Sequence, residues 1–485
     1  MADTRARDAW MREANWIGGE WVAADSGTTI EVTDPATGKV IGTVPHAGAA
    51  ETERAIAVAA EAFERFRRTT ANERATILRR MHQVMLDNVD ALAELLTLEQ
   101  GKPLAEAKGE ITIGANYILW FAEEARRVSG EISESPWADR RVLVFREPVG
   151  VVGAITPWNF PSSMLARKIG PAIATGCASV VKPSEFTPYS GLAWALIAQE
   201  AGLPDGVLNV VTGDAAAIGR AMTDDARVAK ITFTGSTRVG KLLLEQSAAT
   251  VKRVSMELGG NAPFIVFDDA DLDRAVEGAM IAKYRNSGQT CICTNRFYAQ
   301  SGIHDAFVER LAERAAALKV GNGFEGAEQG PLINDAAFEK VSALVEDARE
   351  RGGRVVAGGG RHELGGTFYQ PTVVAEATSE MRIAREEVFG PVSAVFRFED
   401  EAEVIRAAND TEYGLAAYCY TQDLGRAFRM MSELRYGLVG MNEGLITTPE
   451  APFGGVKQSG IGTEGGRHGI DEYLDTKYVS LGGLG

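Results

Sequence analysis

Apolar residues in the first quarter of the chain recur at helical spacing. One set of positions predicts a first helix, and a second set predicts a longer helix that Gly101 and Pro103 end. The first set is Ala55, Ile56, Ala59, Ala60, Phe63 and Phe66, and the second is Ile77, Met81, Met85, Val89, Leu92 and Leu96. The amino-terminal region is therefore expected to be helical.

From Val149 onward, short apolar runs alternate with helical patterns. Each run ends in glycine, proline or polar turn residues, and most runs are followed by a helix. Strands are predicted at 149–155, 178–181, 207–211 and 230–234. This alternation is typical of βαβ units in a parallel sheet that is covered on both faces. Ligands bind such sheets at the carboxyl ends of the strands, where these turns lie.

A second α/β region is predicted to begin near Asn261. Its first strand is expected at 263–267 and its first helix at 272–284. Further strands are predicted at 354–357, 392–398 and 416–420. Residues 140–147 are predicted to form an exposed strand that interrupts the first domain.

The composition is that of an ordinary soluble globular protein, and its 485 residues predict two or three domains. A net charge of −16 disfavours non-specific binding to nucleic acid or to an anionic membrane. No secretory signal or membrane span is evident, and four cysteines are too few for a disulfide framework. The five histidines show no metal-ligand spacing. A cytoplasmic protein without a metal site is expected.

Cys291 lies in a polar, glycine-containing stretch, residues 285–293, that follows a predicted helix. A lone cysteine is more often a small core residue than a nucleophile. Glu257 lies earlier in the chain and is followed by Gly259 and Gly260, which permit backbone geometry that other residues resist. A glutamate is usually a surface charge, but one that faces a cysteine in a cleft can activate water.

Two turns at strand ends are candidates for binding a nucleotide. Residues 232–240 form a strand, a glycine turn and a helix start, where free N–H groups and the helix dipole favour a pyrophosphate. Taken alone such a turn is more often structural, and its position after a fourth parallel strand makes the two interpretations about even. Lys182 and Glu185 end another strand, where they either hold ribose hydroxyls or form a solvated charged turn.

Asn159 stands between Pro157 and Pro161, directly after the predicted strand 149–155. Its neutral amide can donate to a developing oxyanion without changing the charge of the site. An asparagine between prolines often forms only an Asx-turn. Residues 386–391 are, by their pattern alone, a helix end that runs into a turn.

These elements, in this order and spacing, resemble the aldehyde dehydrogenase superfamily. The similarity runs from residues 16–21 to residues 452–460 and covers nearly the whole chain. It implies an α/β fold with a Rossmann-type parallel-sheet cofactor domain, a second α/β catalytic domain and a small oligomerisation sheet. The implied boundaries are 1–132 and 148–258 for the NAD(P)-binding domain, 259–460 for the catalytic domain, and 133–147 and 461–485 for the oligomerisation segments.

The resemblance also implies roles for individual residues. Cys291 is expected to be the nucleophile that forms a thioester, Asn159 the donor to the oxyanion, and Glu257 the base that activates water to release the acid. The expected cofactor contacts are Trp158, Asn159, Lys182, Ser184, Glu185, Gly235, Ser236, Leu258, Glu387 and Phe389.

NAD is predicted in preference to NADP. Glu185 can accept both hydroxyls of the adenosine ribose but would repel a 2′-phosphate. Lys182 and Ser184 offset part of that repulsion, so some use of NADP is expected as well.

Three local matches resemble the succinate-semialdehyde dehydrogenase branch of that superfamily. They are the run Cys291-Ile292-Cys293, residues 442–446 before Thr447, and the ending at 469–475. Arg167, Arg285 and Thr447 fall where that branch binds the substrate carboxylate, although most arginines form structural ion pairs. The branch usually has serine where Thr447 stands, and the added methyl would tighten the pocket or shift its preference. Cys293 is expected to be a bystander or a redox partner of Cys291.

The predicted function is therefore NAD(P)-dependent oxidation of an aldehyde to an acid, with succinate semialdehyde as the first candidate substrate. Glutarate semialdehyde and other aldehydes stay open. A non-enzymatic structural homologue is disfavoured by the intact set of catalytic residues, and a cysteine hydrolase or acyltransferase by the cofactor segments. The resemblance also implies a homodimer or homotetramer.

Overall fold

The computed structural model describes residues 4–484, and its strands form two large sheets and two small ones. Residues 1–3 and 485, which belong to the predicted ranges 1–132 and 461–485, lie outside the described part. None of the helices in the described part combines the length and the apolarity that a membrane span requires.

The described helices and strands alternate along most of the chain. The α-helices are α1 Thr4–Asp8, α2 Ala49–Phe66, α3 Ala71–Asp87, α4 Val89–Gln100, α5 Leu104–Glu124, α6 Ser163–Thr175, α7 Pro188–Glu200, α8 Ala215–Asp224, α9 Thr237–Ser247, α10 Leu272–Tyr284, α11 His304–Ala316, α12 Asp335–Glu350, α13 Glu401–Asn409 and α14 Leu424–Glu433. The strands are β1 Asn15–Ile17, β2 Glu20–Val22, β3 Thr29–Thr33, β4 Val40–Pro45, β5 Glu131–Glu134, β6 Arg141–Pro148, β7 Val151–Ile155, β8 Ala178–Lys182, β9 Leu208–Val210, β10 Val228–Thr234, β11 Arg253–Glu257, β12 Ala262–Val266, β13 Thr294–Gln300, β14 Arg354–Ala357, β15 Thr372–Ala375, β16 Val392–Phe398, β17 Ala416–Tyr420, β18 Leu438–Met441, β19 Gly460–Ile461 and β20 Leu474–Leu481.

The first large sheet has the strand order β19-β11-β10-β7-β8-β9-β1-β2. Strands β7 to β11 are parallel, and the strands at both edges join in antiparallel orientation. The chain runs from β7 through β8 to β9 and then returns to place β10 on the other side of β7. This reversal leaves a crevice between the carboxyl ends of β7 and β10, where open α/β sheets bind ligands.

The second large sheet has the strand order β14-β15-β16-β13-β12-β17-β18, and only β14 is antiparallel to its neighbour. Its first strand, β12, follows the end of β11 after the short link 258–261. The carboxyl edge of the first sheet therefore lies against the amino edge of the second. Cys291, three residues before the start of β13, lies at this junction.

The third sheet is formed by β20, β6 and β5, all antiparallel. It confirms the exposed strand predicted at 140–147, and β20, near the end of the chain, pairs with this strand. The pairing is made within one chain, and several large apolar side chains of these strands, such as Ile132 and Tyr478, are exposed. A role of this sheet between subunits stays a prediction.

The predicted α/β architecture with parallel sheets is confirmed, and the predicted strands differ from the observed ones by only one or two residues at their ends. The prediction of one long helix through Ile77 to Leu96 was wrong. Asn88 separates α3 from α4, and its side-chain amide donates to the carbonyl of Val84 at 2.8 Å. An asparagine side chain that bonds a nearby carbonyl competes with the backbone hydrogen bonds of a helix, and the helix ends there. The apolar residues keep their helical spacing across this break, which is why their pattern predicted one helix.

Helix α5 was not predicted. It packs between α3, α4 and α6, and residues on most of its circumference are buried. A helix that is buried on several sides has no single apolar stripe, which removes the periodic signal used to find helices. The loop between α4 and α5, residues 101–103, is buried as well and reaches the junction of the two large sheets.

Candidate active site

Cys291 lines two cavities at the junction of the large sheets. One cavity has a volume of about 290 Å³ and contains Arg167 and Arg285 in its wall, and we name it the arginine cavity. The other has a volume of about 260 Å³ and is lined by the turns that follow β7 and β10, and we name it the turn cavity. Among the described residues, Cys291 alone belongs to both walls. A molecule in either cavity would therefore meet the thiol.

The loop before Cys291 has an unusual backbone. Asn286, Ser287 and Gly288 all have positive φ angles, of 51°, 56° and 72°. Such angles are rare for residues other than glycine and occur where surrounding contacts hold them. Here the N–H of Asn286 donates to Glu106 at 2.8 Å, and the Ser287 hydroxyl donates to the carbonyl of Gly330 at 2.9 Å.

The link between the sheets passes directly beneath the nucleophile. A Cβ atom on Gly260 would lie 2.2 Å from the carbonyl oxygen of Cys291, and one on Gly259 would lie 3.1 Å from the Glu387 carboxylate. Only glycine permits the first approach, because a real Cβ never comes so close to a carbonyl. The two glycines after Glu257 thus allow the two sheets to meet at the thiol.

The Cys291 thiol is protonated in this environment. Burial raises its pKa to about 12, the nearby charges of Glu387 and Glu257 act in the same direction, and Arg167 opposes them. Since the thiolate is the nucleophilic form, Cys291 requires a proton acceptor or added positive potential before it can attack a carbonyl.

Glu257 ends β11 and is almost completely buried. Neither of its carboxylate oxygens has a hydrogen-bond partner in the described part of the chain. Burial, together with the nearby charge of Glu464, raises its pKa well above the ordinary value. Glu257 lines neither cavity wall, but its charge influences Cys291. A carboxylate with a raised pKa is a stronger base at neutral pH.

A second buried acid lies behind Glu257. Glu464 forms an ion pair with Lys168 at 2.6 Å and lies 3.9 Å from Arg167. The Lys168 ammonium also donates to the Thr232 hydroxyl at 3.1 Å. These groups control the ionisation of Glu257 through their charges. The sequence did not point to them because they come from α6, β10 and a distant loop.

Asn159 follows β7 and is buried between the two sheets. Its side-chain amide donates at 3.0 Å to the carbonyl of Gln289, two residues before Cys291, and it also lines the turn cavity. The amide therefore points to the nucleophile loop rather than forming a local Asx-turn. To act as an oxyanion donor it must share or exchange this partner.

The turn cavity combines features that suit a dinucleotide. It contains Gly235 and Ser236, where β10 turns into α9, and Ser236 caps that helix by accepting from the N–H of Val239 at 3.4 Å. The rings of Trp158 and Phe389 meet edge to face with centroids 5.5 Å apart. A helix N-terminus suits a phosphate, and an aromatic pair suits a planar ring.

Glu387 supplies the carboxylate of the turn cavity. One of its oxygens accepts from the N–H of Gly260 at 3.0 Å, and burial raises its pKa to about 7. Lys340, on α12, lines the same cavity and favours the ionised form of Glu387. The sequence did not identify Lys340, because a lysine on an amphipathic helix resembles any exposed charge. Phe389 and Leu258, both predicted, lie in the same wall.

The residues predicted to hold the adenosine ribose lie at and just after the end of β8, one strand away from the β7–β10 crevice that forms the turn cavity. Lys182 ends β8, next to β7, and forms an ion pair with Glu185 at 2.9 Å. Partial burial opposes ionisation of Glu185, but Lys182 outweighs it and holds the pKa of that carboxyl below its ordinary value. Lys182, Ser184 and Glu185 do not line the turn cavity itself. Their contact with a cofactor stays a prediction.

The arginine cavity brings together all three residues predicted to bind the substrate: Arg167, Arg285 and Thr447. The guanidinium of Arg167 is buried between the rings of Tyr117 and Phe453, with centroids at 4.8 Å and 4.3 Å. Its Nε and one Nη, and the Thr447 hydroxyl, have no hydrogen-bond partner among the described residues. Buried donors without partners suit an anionic group that would accept from them.

The ion-pair alternative explains these arginines poorly. Arg167 approaches one carboxylate, Glu464, at only 3.9 Å, and the second oxygen of Glu464 has no hydrogen-bond partner in residues 4–484. Arg285 lies over the ring of Phe160 at 5.4 Å. The rest of the wall combines apolar side chains with two acids, the half-buried Glu106 and the buried Glu110, and the volume of about 290 Å³ is at the small end for ligand pockets. The cavity suits a short molecule with one anionic end.

Cys293 is buried, and its thiol donates to the carbonyl of Lys283 at 3.4 Å. Cys291 and Cys293 are both free thiols. A redox link between them stays a prediction.

Comparison with protein families identifies one match. A model of the aldehyde dehydrogenase family covers residues 21–479 of the chain.

Curated relatives share most of the sequence over their whole length. A 3-sulfolactaldehyde dehydrogenase of Pseudomonas putida is 55% identical over 98% of both chains. An NADP(+)-specified succinate-semialdehyde dehydrogenase of Escherichia coli is 52% identical over 97% of this chain and 98% of its own. Among solved structures, a succinate-semialdehyde dehydrogenase of Burkholderia pseudomallei is 56% identical, with a TM-score of 0.97 over 98% of both chains.

The state of the thiol leads to a prediction for the protein without added ligands. Alkylation of Cys291 by iodoacetamide should be slow at pH 7 and should rise about tenfold per pH unit up to pH 10, since only the thiolate reacts. Peptide mass spectrometry at several times gives the rate. Cys293→Ala is the matched control, because it assigns the label within the peptide that carries both thiols. A rate that levels off near pH 8 would contradict the burial of the thiol.

Proposed function

The chain belongs to the aldehyde dehydrogenase family, and from this premise we propose that it oxidises a short aldehyde with an anionic far end to the acid. Cys291 would carry the acyl group as a thioester, with NAD(P) as the cofactor. The observation that carries the proposal is the position of Cys291 in the common wall of two cavities. One has the features of a dinucleotide site, and the other presents unpaired arginine donors.

In the first half of the proposed reaction, the Cys291 thiol loses its proton to solvent, and the thiolate sulfur attacks the aldehyde carbon. The alkoxide that forms accepts hydrogen bonds from the Cys291 N–H and from the Asn159 amide, which exchanges its Gln289 partner for the substrate oxygen. A bound nicotinamide supplies the hydride acceptor. The Trp158 and Phe389 rings and the Glu387 carboxylate would hold it beside Cys291.

In the second half, Glu257 accepts a proton from water, and the hydroxide oxygen bonds to the thioester carbon. The bond between that carbon and the Cys291 sulfur then breaks, so the acid is released and the sulfur, once it regains a proton, is again the Cys291 thiol. The raised pKa of Glu257 supports this role, because burial and the Glu464 charge make it a better base than an exposed carboxylate. In its protonated state Glu257 must first lose its proton, so deacylation is expected to accelerate as the pH rises.

Glu257→Gln should separate the two halves of the reaction. The variant should release about one equivalent of reduced cofactor per subunit and then stall as an acyl-enzyme, because the glutamine cannot accept the proton of water. Stopped-flow absorbance measures the burst, and intact-protein mass spectrometry detects the acyl group on Cys291. Glu200→Gln, at the exposed end of α7, is the matched control and should turn over normally. Loss of turnover without an acylated Cys291 would place Glu257 before hydride transfer.

For the cofactor we propose NAD in preference to NADP. The support is Glu185, whose pKa is held low by Lys182, so that it is negatively charged at neutral pH. A negative charge at the ribose site repels a 2′-phosphate. The Escherichia coli relative, whose name specifies NADP(+), makes this position worth testing in the present chain.

Glu185→Gln should lower the preference for NAD over NADP by roughly tenfold in kcat/KM, because loss of one repulsive charge is worth about 1.4 kcal/mol. Steady-state rates with both cofactors, at one saturating aldehyde concentration, give the ratio. Glu245→Gln on α9 changes the same net charge at an exposed position and is the control. A wild-type enzyme with a higher kcat/KM for NADP would refute the preference.

For the substrate we propose a semialdehyde, with succinate semialdehyde as the first choice. The unpaired donors of Arg167 and Thr447 support a carboxylate at the far end of the arginine cavity. Glutarate semialdehyde stays open, since one methylene changes binding by only about 1–3 kcal/mol. The Pseudomonas putida relative suggests a second candidate, an aldehyde with a sulfonate, whose three oxygens suit the same donors. Kinetics with all three aldehydes decides among them.

Arg167→Ala and Arg285→Ala should each lower kcat/KM for succinate semialdehyde by about 2–4 kcal/mol, since each breaks a desolvated charge pair with the substrate. The rate with butanal, which has no carboxylate, should change far less. Arg310→Ala, at an exposed surface position, is the control variant. Equal losses with both aldehydes, or a wild-type enzyme that prefers butanal, would contradict an anion pocket.

We also propose that the chain assembles as a homodimer or homotetramer through the β5-β6-β20 sheet. Exposed apolar side chains support this role: 77% of Ile132 and 61% of Tyr478 are exposed on a single chain. We also propose a domain boundary between residues 258 and 259, because of its position between the two sheets. It falls in the link between the last parallel strand of the first sheet and the first strand of the second.

A further inference from the structure

The buried loop between α4 and α5 carries a lysine that neither half of the proposed reaction uses. The Lys102 ammonium is completely buried and forms two short polar contacts. It donates to Glu110 at 2.6 Å and to the backbone carbonyl of Asn159 at 2.8 Å. It also lies over the ring of Phe160, with the nitrogen 4.0 Å from the centroid. Lys102 thus contacts the Asn159 segment from behind and lines neither cavity.

Glu110, on α5, contacts the same segment at a second point. Its other oxygen accepts from the N–H groups of Ser162 at 3.0 Å and Ser163 at 3.2 Å, where α6 begins. The Lys102–Glu110 ion pair therefore binds this segment at two places, the Asn159 carbonyl and the N–H groups of Ser162 and Ser163. These contacts fix the backbone of the segment that carries the Asn159 side chain.

Asn286 connects the Asn159 segment to the loop that carries Cys291. Its amide donates to the Asn159 carbonyl at 2.9 Å and to the Gln289 carbonyl at 3.3 Å. Gln100 donates to the Asn286 side chain at 3.0 Å and accepts from the N–H of Lys102 at 3.0 Å. The loop after α4 thus fixes the oxyanion segment of the first sheet relative to the Cys291 loop of the second.

Burying this ion pair is costly in itself. Both side chains are removed from water, and burial lowers the pKa of Lys102 while the Glu110 charge opposes that shift. A buried pair often contributes less to stability than apolar residues of the same size would. The role of this pair is to position other groups, because Lys102 contacts the Asn159 carbonyl and Glu110 contacts the N–H groups at the start of α6.

We infer that Lys102, held by Glu110, is a positioning residue for the oxyanion donor. It fixes the Asn159 carbonyl so that the Asn159 amide lies beside the Cys291 loop, ready to receive the alkoxide. The inference rests on the proposed function, in which Asn159 is that donor. Lys102 touches neither substrate nor cofactor, and its effect on the rate passes through Asn159.

A double-mutant cycle tests this. Lys102→Met should lower kcat by about 10- to 100-fold and change KM for the aldehyde less than about threefold, because the oxyanion forms only after binding. In an Asn159→Ala background, the same substitution should lower kcat by less than about twofold further. A 1-deuterated aldehyde gives a second readout: its isotope effect on kcat should rise in Lys102→Met, because a poorly stabilised alkoxide makes hydride transfer, the step that breaks the C–D bond, rate-limiting.

Each result of the cycle has a distinct meaning. If Asn159→Ala leaves kcat unchanged, the proposed oxyanion role fails and the inference fails with it. If Asn159→Ala lowers kcat but Lys102→Met adds its full loss in both backgrounds, the proposed function stands and the positioning role is wrong. If Lys102→Met lowers only the melting temperature, the ion pair is structural and the inference is overturned.

Two further variants separate an effect on the rate from a loss of folding stability. Glu110→Gln keeps the acceptor for the Ser162 and Ser163 N–H groups and removes the counter-charge of Lys102, so it should lower kcat in the same non-additive way but less. Lys230→Met removes another fully buried lysine, which donates to Ser255 in the first sheet away from both cavities. It should lower the melting temperature while leaving kcat of the folded enzyme within about twofold.

Discussion

The meeting of the two large sheets at the short link 258–261 is the constraint on which the rest of the molecule depends. Because β11 ends and β12 begins on either side of this link, the carboxyl edge of one sheet must lie against the amino edge of the other. The approach of Gly260 to the Cys291 carbonyl, where a Cβ would stand at 2.2 Å, makes the contact possible. Once it is made, the crevice between β7 and β10 and the loop before β13 open onto the same thiol, and two cavities share one reactive atom.

The reactive side chains at that junction are buried, and their burial determines the chemistry. Burial raises the pKa of Cys291 to about 12, that of Glu387 to about 7, and that of Glu257 well above its ordinary value. In the resting state the acids and the thiol are therefore biased toward their neutral forms, while Arg167 keeps its charge between two aromatic rings. Such a site responds strongly to a bound charge, because charges are screened less among buried side chains than in bulk solvent. A substrate anion beside Arg167 and a cofactor beside Glu387 would each shift this balance.

The turns of the site were predictable as candidates, because each follows an apolar run that the sequence marks as a strand. Gly235 and Ser236 follow a buried strand and start a helix, and the structure places them in the turn cavity with Trp158, Glu387 and Phe389. Arg167, Arg285 and Thr447 came from a family resemblance and meet in one cavity. Lys340, Lys168, Glu464 and Lys102 were missed, because a charged residue on a helix or in a loop carries no local sign that tertiary contacts bury it. The break at Asn88 was missed for a related reason, since the apolar period continues through it.

The sequence by itself determined the α/β class, four strands of each large sheet to within a residue or two, and, through a family resemblance, several side chains of the site. The fold class and the strands follow from local periodicity and from turn chemistry, which depend on near neighbours along the chain. Only the tertiary structure decided which of these side chains meet, which of their donors stay unpaired, and how far their pKa values move. Those properties depend on contacts such as Lys102 with Asn159 and Gly260 with Cys291, between residues far apart in the chain. Desolvation and close approach are set by the packed neighbours in space, and no local pattern records them.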